Sequence, residues 1–380
     1  MRFFVYIIIF FSFFDLFTQL PIMSPFATTL GATPFITGLV VGMYSFSNTI
    51  GNVISGFWTD KKGPFYILLF GLVTTSGALF LYQLVTEPIG LLFIRFIHGL
   101  VAGLIVPAAF TFSANQTASE KRGKGVALSG AFVGLAAIVG PAMSGIIASK
   151  KSEVFVLSIT GSIMLLLSLL TLIILRSVTV HKKTPIARST SSISIRSFFK
   201  EAGLVKAFAG AFFLMFSQGV LAYMLPLKIV QLGFDSKTSG LLLSTFGFVA
   251  ILIFILPTNR IFDRVKPVKT LAFGMALMGI SMLLLGQSEI LSLMYIWMGV
   301  YGVGFAFLFP SINSLLIDST DTSYRGKAYG YFYAFFSIGV VAGSSLTGYL
   351  ELTANDGFLL TGVILLITSV LSIFNNKKAP

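Results

Sequence analysis

The chain has no cysteine and only two histidines, His98 and His181. Without thiols there is no disulfide, thiolate metal site, Fe–S cluster or Cys nucleophile, and two imidazoles are too few for a typical histidine metal centre. Charge is equally scarce: 10% of the 380 residues are Asp, Glu, Lys or Arg, against roughly 25% in a soluble domain. A chain this poor in charge is not solvated as a globule. No G-x-x-x-x-G-K-[ST] loop is present to cradle phosphates, so ATP is not an energy source within this chain. No H-E-x-x-H or paired-Asp cluster is visible either, so neither an enzyme nor a cofactor is expected. What is present is apolar: 56% of residues are hydrophobic, mean hydropathy is +0.93, and there are 40 Phe and 37 Gly. That mixture suits lipid contact and close helix crossings.

About 20 apolar residues carry a helix across the hydrocarbon core. Twelve such spans are expected, at 3–24, 36–57, 64–85, 89–112, 125–148, 154–175, 207–228, 238–258, 268–286, 290–315, 327–350 and 357–374. In lipid only helices or closed barrels satisfy their backbone groups, so the fold class is all-α. Met1-Arg2 and the apolar run behind them have the look of a signal peptide. The run has no A-x-A-like cleavage site, however, and continues through Asp15 toward Pro21, so it is read as span 1. With both termini in the cytoplasm, nearly all of the 26 Lys and Arg residues lie inside; only Lys150, Lys151, Lys228 and Lys237 lie outside, and Arg95 lies within a span. That asymmetry obeys the positive-inside rule and accounts for the net charge of +13 without nucleic acid.

The second half repeats the first at an offset of 203 residues. Asp60-Lys61 returns as Asp263-Arg264, Gly99 as Gly302, Pro107 as Pro310, Arg122-Gly123-Lys124 as Arg325-Gly326-Lys327, Gly140 as Gly343 and Gly145 as Gly348. Two tandem hydrophobic bundles are the layout of a secondary transporter. The expected domains are a six-helix bundle at 1–175, a linker at 176–206 and a second bundle at 207–380. The linker is basic and Ser/Thr-rich, with an amphipathic surface helix expected near 194–206; it reads as a tether or as a regulatory, partner-binding loop.

Three motifs carry a resemblance. Between spans 2 and 3 stands Gly56-Phe57-Trp58-Thr59-Asp60-Lys61-Lys62-Gly63-Pro64, an acid that can cap a helix end or pair with an Arg, or simply a structural turn. Span 4 carries Arg95-Phe96-Ile97-His98-Gly99, and span 5 carries Gly140-Pro141-Ala142-Met143-Ser144-Gly145. Together they resemble the signature loop, the span-4 Arg-x-x-Gln-Gly pattern and the span-5 Gly-Pro-x-x-Gly-Gly pattern of the major facilitator superfamily. The last is associated with its twelve-span drug:proton antiporters. Here Pro64-Phe65 replaces basic residues, His98 replaces Gln, Ser144 replaces a Gly, and the second loop, Asp263-Arg264-Val265-Lys266, loses its Gly. The resemblance covers the whole chain and implies alternating access around a central cavity lined by spans 1 and 4, among others.

Two charges are placed deep in the membrane by sequence. Asp15 is about 18 Å from the cytoplasmic end of its span, and Arg95 is about 21 Å from the same side. The expectation is that Asp15 exchanges the proton with Arg95 tuning it; the plain alternative is a static ion pair between spans 1 and 4. His98 is a second titratable group or a neutral hydrogen-bond partner in the same neighbourhood. The repeat gives Gln218 and Met298 at the positions of Asp15 and Arg95, which confines the charge to the first half. Further substrate-cavity candidates are Gln19, Tyr44, Asn48, Asn52, Gln218, Tyr223, Tyr301, Asn313 and Tyr333, each of which alternatively bonds across helices. Conformational-motif candidates are Gly56, Asp60, Lys61, Gly63, Gly140, Pro141, Gly145, Asp263 and Arg264. Phe212, Phe213, Phe216, Phe305, Phe307, Phe335 and Phe336 suit an apolar solute or face lipid.

The expected function is therefore proton-coupled export of a small amphipathic molecule (a drug, siderophore-like metabolite or sugar derivative) by a monomer in the plasma membrane. The expected partners are the solute, protons and the bilayer. A proton-coupled importer and a lipid flippase of the same fold are the rivals.

Overall fold

The computed structural model describes residues 2–115, 122–176, 199–255, 265–321 and 325–374, and all regular structure among them is helical. The first half contains α1 (Arg2–Thr18), α2 (Met23–Thr29), α3 (Pro34–Lys62), α4 (Pro64–Leu81), α5 (Pro88–Ala102), α6 (Ile105–Asn115), α7 (Arg122–Lys150) and α8 (Glu153–Ile174). The second contains α9 (Ala202–Gln231), α10 (Ser236–Ile255), α11 (Pro267–Gln287), α12 (Leu291–Asp318), α13 (Arg325–Tyr349) and α14 (Ala354–Phe374). The expected linker at 176–206 lies largely outside the described residues, as do the second loop's Asp263 and Arg264.

Among the described residues, 10 helices are long and apolar enough to cross a membrane, and α1 with α2 makes up to 11. The remaining expected span is α3, which at 29 residues is long enough to cross. Its apolarity is diluted by Ser45, Ser47, Asn48, Thr49 and Asn52, several of which bond to α3 itself or to α5. Outward faces carry bare apolar side chains, such as Leu84 at 73%, Ile173 at 74% and Phe374 at 78% exposure. Only lipid solvates such a surface.

Two expected spans are broken. Span 1 stops at Thr18 and restarts at Met23 with a 45° bend. Pro21 has no N–H to give to Phe17, and its ring disfavours a continuous helix. Leu20 N–H reaches Phe17 O at 3.3 Å instead, and Asp15 O accepts from Thr18 Oγ1 at 2.9 Å and Gln19 Nε2 at 2.8 Å. Span 4 pauses at Gly103-Leu104 between α5 and α6, four residues before Pro107, where the same effect operates. Beside the pause, Leu104 O receives the Ser55 hydroxyl of α3 at 2.7 Å.

The chain divides into two compact units, Met1–Lys183 with Ile229–Ser244, and Thr184–Lys228 with Thr245–Pro380. In the first, α1 packs on α7, α3 on α5 and α4 on α8; in the second, α11 packs on both α12 and α14. The repeated glycines perform the same task in each unit. A Cβ on Gly99 would lie 2.3 Å from Tyr44 O of α3, and one on Gly302 would lie 2.5 Å from Phe246 O of α10. Gly140 presses on Phe17 of α1, and its counterpart Gly343 on the Phe216 carbonyl of α9. The 203-residue repeat is thus a repeat of helix-crossing points, where backbones meet too closely for any side chain.

This closeness predicts a contrast. Gly99→Val should cost about 1–3 kcal/mol or more by overpacking and sharply lower the folded yield. Gly77→Ala, where nothing lies within 4 Å, should leave it unchanged. Size-exclusion profiles of the two purified variants make the comparison.

Candidate functional site

Asp15 sits on the last full turn of α1, 1% exposed. Its Oδ2 accepts hydrogen bonds from His98 Nε2 at 3.1 Å and Tyr44 Oη at 3.3 Å, and its Oδ1 accepts one from Gln19 Nε2 at 3.1 Å. Three helices therefore converge on one carboxylate: α1 supplies the acid, α3 the phenol and α5 the imidazole. The turn after α1 adds Gln19, which the Pro21 break allows to fold its amide back over Asp15. The close α3–α5 crossing at Gly99 sets Tyr44 beside His98, their rings meeting edge to face at 5.0 Å.

Arg95 is 4% exposed and one turn from His98 on α5. Equal depth makes Arg95 a tuning partner of Asp15 or half of a static ion pair with it, and no direct hydrogen bond or salt bridge joins the two side chains. Gln19 stands between: its Oε1 accepts from Arg95 Nη1 while its Nε2 donates to Asp15. The guanidinium also donates to Val40 O at 2.9 Å and Val41 O at 3.1 Å, and lies 5.1 Å from the centre of the Tyr44 ring. Depth fixes height along the bundle but not direction around a helix, and Gln19, one turn beyond Asp15, occupies the intervening space.

On its other side His98 Nδ1 lies 3.1 Å from the Tyr82 hydroxyl, and both residues are fully buried. Sequence reasoning missed Tyr82. It reads as an interfacial tyrosine at the end of span 3, and nothing local distinguishes it until α5 returns His98 to the same level. The result is a closed chain, Tyr82–His98–Asp15–Gln19–Arg95, with every polar end engaged inside an apolar bundle. It holds one acid, one permanent cation and one titratable imidazole.

The other expected cavity residues fall in four groups. Asn48 donates to Gly99 O at 3.4 Å and accepts from Asn52 Nδ2 at 3.0 Å, so this pair ties α3 to α5. Tyr301 bonds Ser217 at 2.7 Å between α12 and α9, and Tyr223 is 3% exposed in α9. Asn313 donates to Phe309 O in its own helix, and Tyr333 is 56% exposed on α13. Gln218 has an amide nitrogen without a partner.

In the loop motif, Gly63 takes φ +83° to end α3 and start α4 at Pro64, a conformation that favours glycine. A Cβ on Gly56 would meet nothing within 4 Å, Lys61 is exposed, and Lys62 Nζ stands 5.6 Å from the Trp58 ring centre. The side chain of Asp60 lies outside the described residues, and the latch expectation lies there with it. In the span-5 motif, Gly145 and Gly240 meet Cα against Cβ position: a Cβ on Gly145 would fall 2.4 Å from Ser236 O, and one on Gly240 would fall 2.2 Å from Pro141 O. Ser244 closes the same seam on Ile138 O at 2.6 Å.

Lys228 corrects another expectation. It closes the expected span 207–228 and is counted with the outside residues, but α9 continues to Gln231 and Lys228 is 2% exposed. Its ammonium donates to Leu285 O at 2.7 Å and Gly286 O at 2.9 Å, at the end of α11, and to Asn355 Oδ1 at 2.8 Å, at the start of α14. A cation on the carbonyls that close a helix is favourably placed, and here it fastens three helix ends. Lys228→Met should leave those acceptors bare and cost about 2–4 kcal/mol, which thermal unfolding of the purified protein would measure.

The sequence model of the Major Facilitator Superfamily matches residues 5–227 and again 207–380. The chain belongs to the Major Facilitator Superfamily. It is similar to the multi-drug resistance efflux pump PmrA of Streptococcus pneumoniae, 25% identical over 346 residues and covering 86% of this chain and 84% of the relative. It is also similar to the multidrug resistance protein MdtG of a Rahnella species, at 26% over 373 residues, 94% of this chain and 87% of the relative. Among solved structures, a bacterial homologue of the human lysosomal transporter Spinster superposes with a TM-score of 0.79 over 98% of this chain and 94% of that one, at 13% identity. The nucleoside transporter NupG gives 0.77 over 100% and 99%, at 15%. Those structures share the superfamily fold; the chain is a membrane transporter built on it.

Proposed function

We propose that this transporter exports a small amphipathic molecule in exchange for protons, by alternating access, with Asp15 and His98 as the proton-binding pair. The observation that carries the reading is the Asp15–His98 contact at 3.1 Å, wholly buried, with Arg95 held one residue away by Gln19. With His98 neutral, its Nε2–H donates to ionised Asp15 while Tyr82 O–H donates to Nδ1. The carboxylate and guanidinium then cancel, and the cluster is neutral. An added proton leaves Arg95 uncompensated, whether the proton settles on Asp15 or on His98. A net charge in a dry bundle is costly, so the loaded and unloaded clusters favour different degrees of contact with water. That is the differential stability a coupled transporter needs.

The same arithmetic makes a proton and a cationic solute mutually exclusive, which favours exchange over co-transport. The efflux names of PmrA and MdtG point the same way. We place the protein in the plasma membrane with both termini cytoplasmic, as the basic-residue asymmetry supports, and divide it as bundles 1–175 and 207–380 joined by 176–206. Purified protein in liposomes with an imposed pH gradient tests the reading. Solute should move toward the acidic compartment, against the direction of proton flow. Movement with the protons instead identifies an importer.

A further inference from the structure

An added hydrogen has two candidate seats in the Asp15–His98 pair, and the bonds around them choose between the two. The imidazole is gripped by two phenols set edge to face, Tyr44 at 5.0 Å and Tyr82 at 5.7 Å between ring centres. All three rings are buried, so Nε2 stays turned toward Asp15 and Nδ1 toward Tyr82. Asp15 is already surrounded by donors. His98 and Tyr44 serve Oδ2, and Gln19 serves Oδ1 with an amide fixed by its own bond to Arg95. A hydrogen on Oδ1 would therefore point at another N–H. On the Oδ2 side, the Tyr44 contact at 3.3 Å is long for an O–H···O bond. The 3.1 Å contact with His98 Nε2 remains, and it holds a second hydrogen only if Nδ1 carries one too. Carboxylate with imidazolium, or acid with imidazole: both arrangements make Nδ1 an N–H.

Facing Nδ1 at 3.1 Å is the Tyr82 hydroxyl, a group that donates or accepts by turning about one bond. Tyr82 opens the short turn Tyr82–Leu84 that follows α4. Val85 N–H fastens that turn on Tyr82 O at 3.3 Å, and Gln83 Nε2 ties it to Ser158 of α8 at 2.9 Å. We propose that Tyr82 is the positioning residue for the coupling proton. It donates to Nδ1 in the empty pair and turns to accept from Nδ1–H in the loaded one. The proton comes from hydronium in the medium, whose O–H bond is exchanged for an N–H bond at Nδ1. Asp15 supplies the negative charge that lets the ring hold it. The groups facing His98 are Asp15 from α1, Tyr44 from α3, Tyr82 from the turn after α4, and Arg95 from its own helix. α6 carries no titratable side chain, and α8 only Glu153 at its first residue. The inference rests on reading Asp15 and His98 as the proton-binding pair, and it assigns the added hydrogen to one atom of that pair.

The chain's other histidine, His181, falls in the linker 176–206, so a His181→Gln background makes His98 the sole imidazole. Nitrogen NMR of the full-length protein, labelled at histidine, then reads both ring nitrogens of one residue across about pH 5–9. At the alkaline end Nε2 should carry the hydrogen and Nδ1 should be bare; on acidification Nδ1 should gain its own. Tyr82→Phe should keep the alkaline pattern but lower the midpoint by about one pH unit, about tenfold in proton affinity. A hydrogen bond to the charged, loaded ring is worth more than one to the neutral ring. Tyr44→Phe, which strips a donor from Asp15 instead, should not lower the midpoint. An Nδ1 in the otherwise unaltered protein that never changes state with pH overturns the proposal, and that spectrum decides by itself if Tyr82→Phe folds poorly. An unchanged midpoint in Tyr82→Phe, or equal lowering by both Tyr variants, overturns it too. The titration uses neither solute nor gradient. Protonation at Nδ1 in a protein whose transport ignores a pH gradient removes the coupling reading and leaves this one standing. Gradient-driven transport with Nδ1 bare throughout does the reverse.

Discussion

Asp15→Asn should abolish accumulation driven by a pH gradient while the protein stays folded. One pH unit is worth about 1.4 kcal/mol per proton, or about a tenfold solute gradient for electroneutral one-to-one exchange of a monovalent cationic solute. Wild-type proteoliposomes should reach that order of accumulation. The Asn variant should reach none, because its amide takes the place of the carboxylate beside His98, Tyr44 and Gln19 but holds no exchangeable proton. Counterflow of unlabelled against labelled solute, which needs no proton movement, separates lost coupling from lost transport. If Asp15→Asn still concentrates solute along the gradient, Asp15 is a packing residue and the static-pair alternative stands.

The second large effect follows from charge balance. Arg95→Met should destabilise the protein by about 3–5 kcal/mol, because it strands Asp15 in an apolar bundle without a compensating cation. Gln19 Oε1 and the carbonyls of Val40 and Val41 lose their donor at the same time. The double variant Asp15→Asn with Arg95→Met should recover a large part of that loss, since it removes both charges together. Thermal unfolding of the four proteins gives the coupling energy between the two sites. A double variant no more stable than Arg95→Met alone would mean that the two charges do not sense each other through Gln19.

The fold was readable because its strongest constraint is compositional. Long apolar runs in lipid have one outcome, and the glycine repeat marks the crossing points that Gly99 and Gly302, or Gly140 and Gly343, make in their own units. The site was half readable. Asp15, Arg95 and His98 stood out because charges and imidazoles are rare in such runs. Their connectivity did not, since it depends on azimuth and on the Pro21 break that turns Gln19 inward. Tyr82 and Lys228 were hidden for another reason. Both lie near the ends of spans, where tyrosine and lysine are ordinary interfacial residues; Tyr82 is drawn in by His98 just beyond the end of α4, and Lys228 by the continuation of α9 to Gln231.

The most direct measurement is proton release on solute binding. Rhodamine 6G added to purified protein in weakly buffered detergent solution, near the pH at which the site is half loaded, should release a proton from the wild type, seen with an indicator dye. Asp15→Asn should release none. Release that persists undiminished in Asp15→Asn, or solute binding to the wild type with no release at any pH between about 5 and 9, would contradict the exchange of one proton for one solute at this site.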